Sequence, residues 1–321
     1  MILALSGGVG GARLSNGLAS ILSADDLVII TNTGDDFAHL GLRISPDLDT
    51  VMYTLAGRNN VETGWGLAGE TWHFMEALER IGGETWFRLG DQDLATHIER
   101  TRRIKSGETL SEVTTALCRV FGVIHRIGPM TDQVVRTVLH TNDGTLSFQD
   151  YFVRRHCEPT IRSISFLSDK YAEMSPLFAT ALSSKTLDAL LICPSNPYLS
   201  IQPILSLSGV RDALENRSVP SVAISPIVGG AAIKGPAAKI IRELGHTASA
   251  VEIARNYQGL IDGLIIDERD RELAGDIEAL GIAVCVTDTV MKSLTDQRKL
   301  AATACNFSKH LVPTSSISIT P

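Results

Sequence analysis

Apolar residues fall along this chain in short runs separated by helix-length stretches. Ile2 to Leu5 is apolar throughout and stops at glycine, while Ala12 to Leu22 carries Leu14, Leu18, Ile21 and Leu22 at helical spacing. That pattern predicts a strand, a tight turn and a helix. Leu27 to Ile30 is a second run, ending at Thr31-Asn32-Thr33-Gly34-Asp35-Asp36. In Ser45-Pro46-Asp47-Leu48-Asp49-Thr50, a capping serine, a proline at the first helical position and acids in the first turn predict a helix to about Gly57.

Between about Glu70 and Leu182 this alternation is lost. Asp91 to Phe121 reads as two helices parted at Ser106-Gly107, and Val134 to Ser165 as short strands turning at Asn142-Asp143-Gly144. Buried runs return at Ala189 to Cys193, Ser221 to Ser225, Gly263 to Ile266 and Ala283 to Val286, each a helix-length apart. Strands alternating with helices specify an α/β fold: a doubly wound, mostly parallel, Rossmann-like sheet with right-handed crossovers. The expected organisation is a nucleotide-binding core from 1–69 and 183–312, an inserted α+β cap region at 70–182 over the ligand crevice, and a tail at 313–321.

The 321 residues are 44% hydrophobic and 20% charged, a balance that supports a sizeable core. A formal net charge of -7 argues against a nucleic-acid groove or an anionic membrane surface, so bound phosphate must be handled locally. The five cysteines, with no C-x-x-C pair, point to reduced thiols and a cytoplasmic protein. The first residues lack a basic n-region and read as neither signal peptide nor membrane span. A homodimer is the base-rate expectation.

Ser6-Gly7-Gly8-Val9-Gly10-Gly11-Ala12-Arg13 follows the first strand and opens a helix, where backbone amides and the helix dipole meet anions. Gly8, Gly10, Gly11 and Arg13 are therefore candidate phosphate-binding residues. The loop meets neither the G-x-G-x-x-G fingerprint nor the Walker pattern. A second glycine-rich loop, Ser225 to Pro236, adds Gly229, Gly230 and Lys234, and two such loops at the carboxyl ends of strands suit a diphosphate. Ser195 and Asn196, in Pro194-Ser195-Asn196-Pro197, end another strand and offer polar groups to a nucleotide, although an Asn-Pro turn also forms without any ligand.

Asp35, Asp36, Asp47 and Asp49 fall just beyond the second strand. Acids beside phosphate loops repel a polyanion unless a divalent ion lies between them, so Asp35, Asp36 and Asp49 are candidate ligands for Mg2+, with Asp36 and Asp49 as catalytic candidates. Asp47 is equally explained as a helix-start acid. Arg88 sits among apolar neighbours and, if buried, needs a carboxylate or a ligand. Trp65, between glycines, has a face open for stacking. His39 and His97 read as ordinary loop or helix histidines.

Taken together, these motifs resemble the 2-phospho-L-lactate transferase family of factor-420 biosynthesis. The resemblance rests on Gly7 to Leu14, Asn32 to Asp36, Ser45 to Thr50, Leu89 to His97, Pro194 to Pro197, Ser225 to Gly230 and Asp267 to Asp270, in family order over most of the chain. It implies that a deazaflavin's ribityl hydroxyl attacks the phosphorus nearer the organic acid of a guanylyl-activated donor and that GMP leaves. It associates Asp49 and Arg88 with deazaflavin binding. Ala12-Arg13 stands where some archaeal members carry Pro-Lys, and Gly34-Asp35 where they carry Ala-Glu, so phosphoenolpyruvate is a credible alternative to lactate in the donor.

Two rival readings remain at this level. A nucleotide-dependent oxidoreductase would hold a dinucleotide on the first loop and its ribose on Asp35 or Asp36. The failed fingerprint and the second loop count against it. A non-catalytic nucleotide-binding regulator explains the loops but not the acids.

Overall fold

A computed structural model describes residues 1–168, 172–233 and 235–313. At the centre lie seven parallel strands: β1 (Ile2–Ser6), β2 (Leu27–Thr31), β3 (Arg126–Pro129), β4 (Ala189–Ile192), β5 (Ser221–Ile224), β6 (Gly263–Asp267) and β7 (Ala283–Thr287). Their order is β7-β6-β5-β4-β1-β2-β3. Leu3 of β1 pairs with Val28 on one side and with Leu190 on the other. The winding reverses at β1 and β4, and an open sheet of this kind leaves a crevice at that point, outside the carboxyl ends of the strands.

Both faces of the sheet are covered, which is why its strands read as continuous apolar runs. Leu3, Leu5, Val28 and Ile30 pack with Phe178, Ile204 and Ile241 on one face. Ile2, Ala4, Leu27 and Ile29 pack with Leu14, Leu18, Val51 and Leu300 on the other. That second face is roofed by α1 (Gly8–Ala19), α2 (Pro46–Leu55) and the helix Leu294–Ser308. No helix among the described residues is long and apolar enough to cross a membrane.

The stretch 70–182 is not one insertion set apart from the core. It contains α3 (His73–Arg80), α4 (Asp91–Lys105) and α5 (Leu110–Val120), and then β3, which pairs with β2 at the edge of the central sheet. Arg-Ile-Gly-Pro carries a single large apolar residue, and glycine and proline are tolerated in a strand mainly at an edge, so its sequence shows little sign of a strand. The added material therefore enters as two excursions, one before β3 and one after it. The second is an antiparallel sheet in which Val135–Thr141 lies between Gly144–Ser147 and Ile161–Ser168. The α4–α5 break and the Asn142-Asp143 turn fall where the sequence places them. The last eight residues, 314–321, lie outside the described residues.

At the amino ends of the strands, Arg217 Nη2 meets Asp262 Oδ1 at 2.6 Å, and the amide of Ser221 donates to Asp262 Oδ2 at 2.8 Å. Removing the carboxylate of a buried pair costs far more than the pair contributes, because an uncompensated charge stays behind. Asp262→Ala is accordingly expected to cost roughly 3–5 kcal/mol in urea unfolding. A midpoint close to the parent's would show that water reaches Arg217.

Candidate active site

A cavity of about 720 Å³ opens at the switch point, lined by the residues that follow β1 and β4. The first glycine loop borders it through Gly7, Gly8, Gly10 and Arg13, and the Pro194 turn through Ser195 and Asn196. α1 starts at Gly8 because Gly7 is extended. The glycines that follow serve close packing more than ligand contact. A Cβ on Gly10 would stand 2.3 Å from the carbonyl oxygen of Pro194, and one on Gly11 would stand 2.6 Å from Ser195 Oγ. Gly10 still faces the cavity; Gly11 does not.

Several other expected phosphate groups are also engaged within the protein. Ser195 Oγ accepts from the amide of Gly7 at 3.0 Å and donates to the Gly7 carbonyl at 2.8 Å. Asn196 Oδ1 caps the turn Pro197–Ile201 by accepting from the amides of Tyr198 and Leu199. Arg13 lines the cavity and donates from Nη1 to the Met291 carbonyl at 2.8 Å. In the second loop, Gly229 donates its amide to both oxygens of Asp270, and neither Gly229 nor Gly230 borders the cavity. Their place is taken by Ser225, Pro226, Ile233 and Gly235. Lys234 lies outside the described residues.

The acids separate into different environments. Asp47 Oδ2 accepts from Asn32 Nδ2 at 3.0 Å, and burial pushes the Asp47 carboxyl up to about 6 against that bond and one from the amide of Gly8. It tethers the first glycine loop. Asp36 Oδ2 accepts from Ser45 Oγ at 2.6 Å, so Ser45 is spent there and does not cap α2 with its side chain. Burial drives Asp36 up to about 8, and holds Asp35 well above the ordinary carboxylate range with Asp47 and Asp36 as repelling neighbours. The Oδ1 atoms of Asp35 and Asp36 are buried without a hydrogen-bond partner. Two protonated or cation-seeking carboxyls are the result.

Asp49 is held differently from Asp35 and Asp36. Both its oxygens are held by the guanidinium of Arg100, Oδ2 by Nη1 at 2.9 Å and Oδ1 by Nη2. Among the described residues, the trio whose ligand atoms all lie within 4.8 Å is Asp49, Asp93 and His97. Of the expected set, Asp49 thus clusters with Asp93 and His97, because α2 turns it toward α4. His97, read as ordinary from sequence, is buried in the cavity wall.

Trp65 borders the cavity and is half exposed. Arg88 also borders it; far from being buried, it is exposed, its guanidinium 4.1 Å from the centroid of the Trp72 ring. Sequence reading misses the other aromatic residues of the wall, Trp86, Phe87, Phe148 and Phe152, which come from both excursions. Nothing in their local pattern separates them from core aromatics. Asp93, His97 and Arg100 do leave a signal, since spacings of four and three place them on one face of α4.

Residues 2–304 match the family model described as 2-phospho-L-lactate transferase CofD. The chain belongs to the CofD family. A phosphoenolpyruvate transferase of Kitasatospora aureofaciens is 40% identical over 310 residues, covering 94% of this chain and 96% of that protein. A 2-phospho-L-lactate transferase of Methanosarcina acetivorans is 37% identical over 300 residues, covering 94% and 96%. A crystal structure of a UPF0052-family protein from Bacillus halodurans shares the fold with a TM-score of 0.64 at 13% identity, covering 95% of this chain and 98% of that one.

In this CofD-family protein the raised carboxyls bind protons more tightly in the folded state than in the unfolded chain. Their contribution to stability is complete below the unfolded carboxylate range and is lost as pH rises through about 6 for Asp47 and about 8 for Asp36. Metal-free protein is expected to melt lower at about pH 8.5 than at about pH 6, with Asp36→Asn flattening the upper part of the slope. A melting temperature that climbs through that window is the contrary result.

Proposed function

We propose that this transferase moves a phospholactyl-type or phosphoenolpyruvyl group from a guanylyl-diphospho donor to the ribityl hydroxyl of 7,8-didemethyl-8-hydroxy-5-deazariboflavin, releasing GMP, as a cytoplasmic step of factor-420 biosynthesis. The observation that carries the reading is near-full-length membership of the CofD family, whose relatives bear phosphoenolpyruvate transferase and 2-phospho-L-lactate transferase names. The cavity supports it: about 720 Å³ is room for a flat ring and an extended diphosphate together, and its wall combines aromatic side chains with backbone amides of a helix start.

Reaction by direct displacement asks for alignment and charge neutralisation more than covalent chemistry. The first glycine loop and Arg13 receive the diphosphate, Trp65 and Arg88 receive the deazaflavin, and Asp49 accepts the hydrogen bond of the attacking hydroxyl. As the hydroxyl oxygen bonds to the phosphorus nearer the organic acid, its proton passes to the Asp49 carboxylate and the bond to the GMP oxygen breaks. Asp35 borders the cavity and Asp36 lies next to it in sequence outside the cavity wall, and their buried, unpartnered Oδ1 atoms are the oxygens that would hold a magnesium ion. Bound there, it would supply positive charge against the donor's phosphates. A nucleotide-dependent oxidoreductase is disfavoured by the absence of the dinucleotide fingerprint.

Incubation with the deazaflavin and donors carrying lactyl, enolpyruvyl or glyceryl groups, read by mass spectrometry, is expected to give one strongly preferred phosphodiester and GMP. Excess EDTA should stop the reaction and magnesium restore it. No product from any donor would sink the proposal, and full turnover in EDTA would remove the metal from it.

Trp65→Ala is expected to raise KM for the deazaflavin about tenfold, the ~1–2 kcal/mol of a lost ring stack, while KM for the donor stays put. A donor-side effect would place Trp65 at the nucleotide.

A further inference from the structure

Asp49, Asp93 and His97 have the spacing of a cation site, and Arg100 brings a positive charge to it. α4 contributes Asp93, His97 and Arg100, and α2 contributes Asp49 and Tyr53. Arg100 ranks first by volume among the fully buried side chains, and it ends on the two oxygens of Asp49. His97 Nδ1 lies 3.7 Å from Asp49 Oδ2, and His97 Nε2 lies 3.3 Å from Asp93 Oδ2. Tyr53 closes the chain by donating its hydroxyl to Asp93 Oδ1 at 2.7 Å. Asp49, Asp93, His97 and Tyr53 all border the cavity, whereas Arg100 stands behind them.

The guanidinium sets the state of its neighbours. Arg100 Nη1 is 3.3 Å from His97 Nδ1. A guanidinium only donates, so it sets a fixed positive charge beside that ring. Asp49 is raised by burial and drawn back first by Arg100 and then by His97, with Asp93 opposing; Asp36 and Cys118 face the same Arg100–Asp49 pair. A metal entering the trio would have to share Asp49 with a fixed positive charge that no pH removes. Arginine and a divalent ion are therefore alternatives at this place.

We infer that Arg100 is a positioning residue that acts as the resident cation of the Asp49–Asp93–His97 trio, excluding metal from it and holding the Asp49 carboxylate ionised and turned to the cavity. The inference deepens the transfer reading, because an ionised, fixed Asp49 is what the acceptor hydroxyl needs. It also stands apart from that reading, since metal exclusion is measured without turnover.

Cobalt is the probe for the first arm. Wild-type protein, titrated with Co2+ in the presence of excess Mg2+, should show no histidine-dependent visible absorption, whereas Arg100→Met should gain a band that His97→Gln in the same background removes. The second arm follows kinetics, where Arg100→Met should lower kcat about 10²-fold or more with donor KM unchanged. Arg100→Lys, which keeps the charge without the fork, should recover part of kcat and still exclude cobalt. If Arg100→Met does not fold, Arg100→Lys decides alone: exclusion of cobalt with kcat lowered at constant donor KM supports the inference. Cobalt on His97 in the wild type, cobalt on folded Arg100→Lys, or parental kcat in either folded variant would overturn it. Cobalt exclusion as expected in a protein that transfers nothing would leave Arg100 in place and refute only the transfer reading.

Discussion

Burial of negative charge at the carboxyl ends of the strands is the constraint around which this molecule is arranged. Asp35, Asp47 and Asp49 are almost wholly shielded from water, and Asp36 has one oxygen shielded. A desolvated carboxylate must gain a proton, a set of donors or a cation. Asp49 has a cation in Arg100, and Asp47 has donors in Asn32 and Gly8. For Asp35 and Asp36 burial outweighs the donors they have, and both carboxyls are raised. The acidic composition thus becomes, locally, a demand for positive charge.

The sheet delivers these groups to one place. β1 and β2 end side by side, so the glycine loop after one meets the acids after the other. β4 ends on the opposite side of β1, and the Pro194 turn locks onto the glycine loop through the paired bonds of Ser195 and Gly7. Gly10 and Gly11 permit that contact by lacking side chains.

The doubly wound sheet is legible because its strands are buried on both faces and its apolar runs are correspondingly plain. β3 is not, since an edge strand needs few apolar residues and Ile127 has only Gly128 and Pro129 after it. The same asymmetry holds at the site. Acids after β2 announce themselves, but their partners do not, because Arg100 lies 51 residues from Asp49 and meets it only through the packing of α4 on the strand Leu42–Ile44 and its neighbours. Glycine in a loop is equally ambiguous. Gly229 looks like a phosphate cradle, yet its amide is held by Asp270, within a motif that shows no sign in sequence of being a clamp.

Asp47 and Asp49 show how one turn of helix joins the two halves of the cavity. Residues two apart on a helix point to nearly opposite sides. Asp47 consequently reaches back to Asn32 and the glycine loop, while Asp49 reaches forward to Arg100 on α4. Pro46 and the buried Leu48 and Val51 fix α2 between them. A displacement of α2 that loosened the glycine loop would move Asp49 in the same step, since both carboxylates ride on one rigid turn. The start of α2 is therefore the element through which the position of the glycine loop and that of Asp49 are mechanically tied.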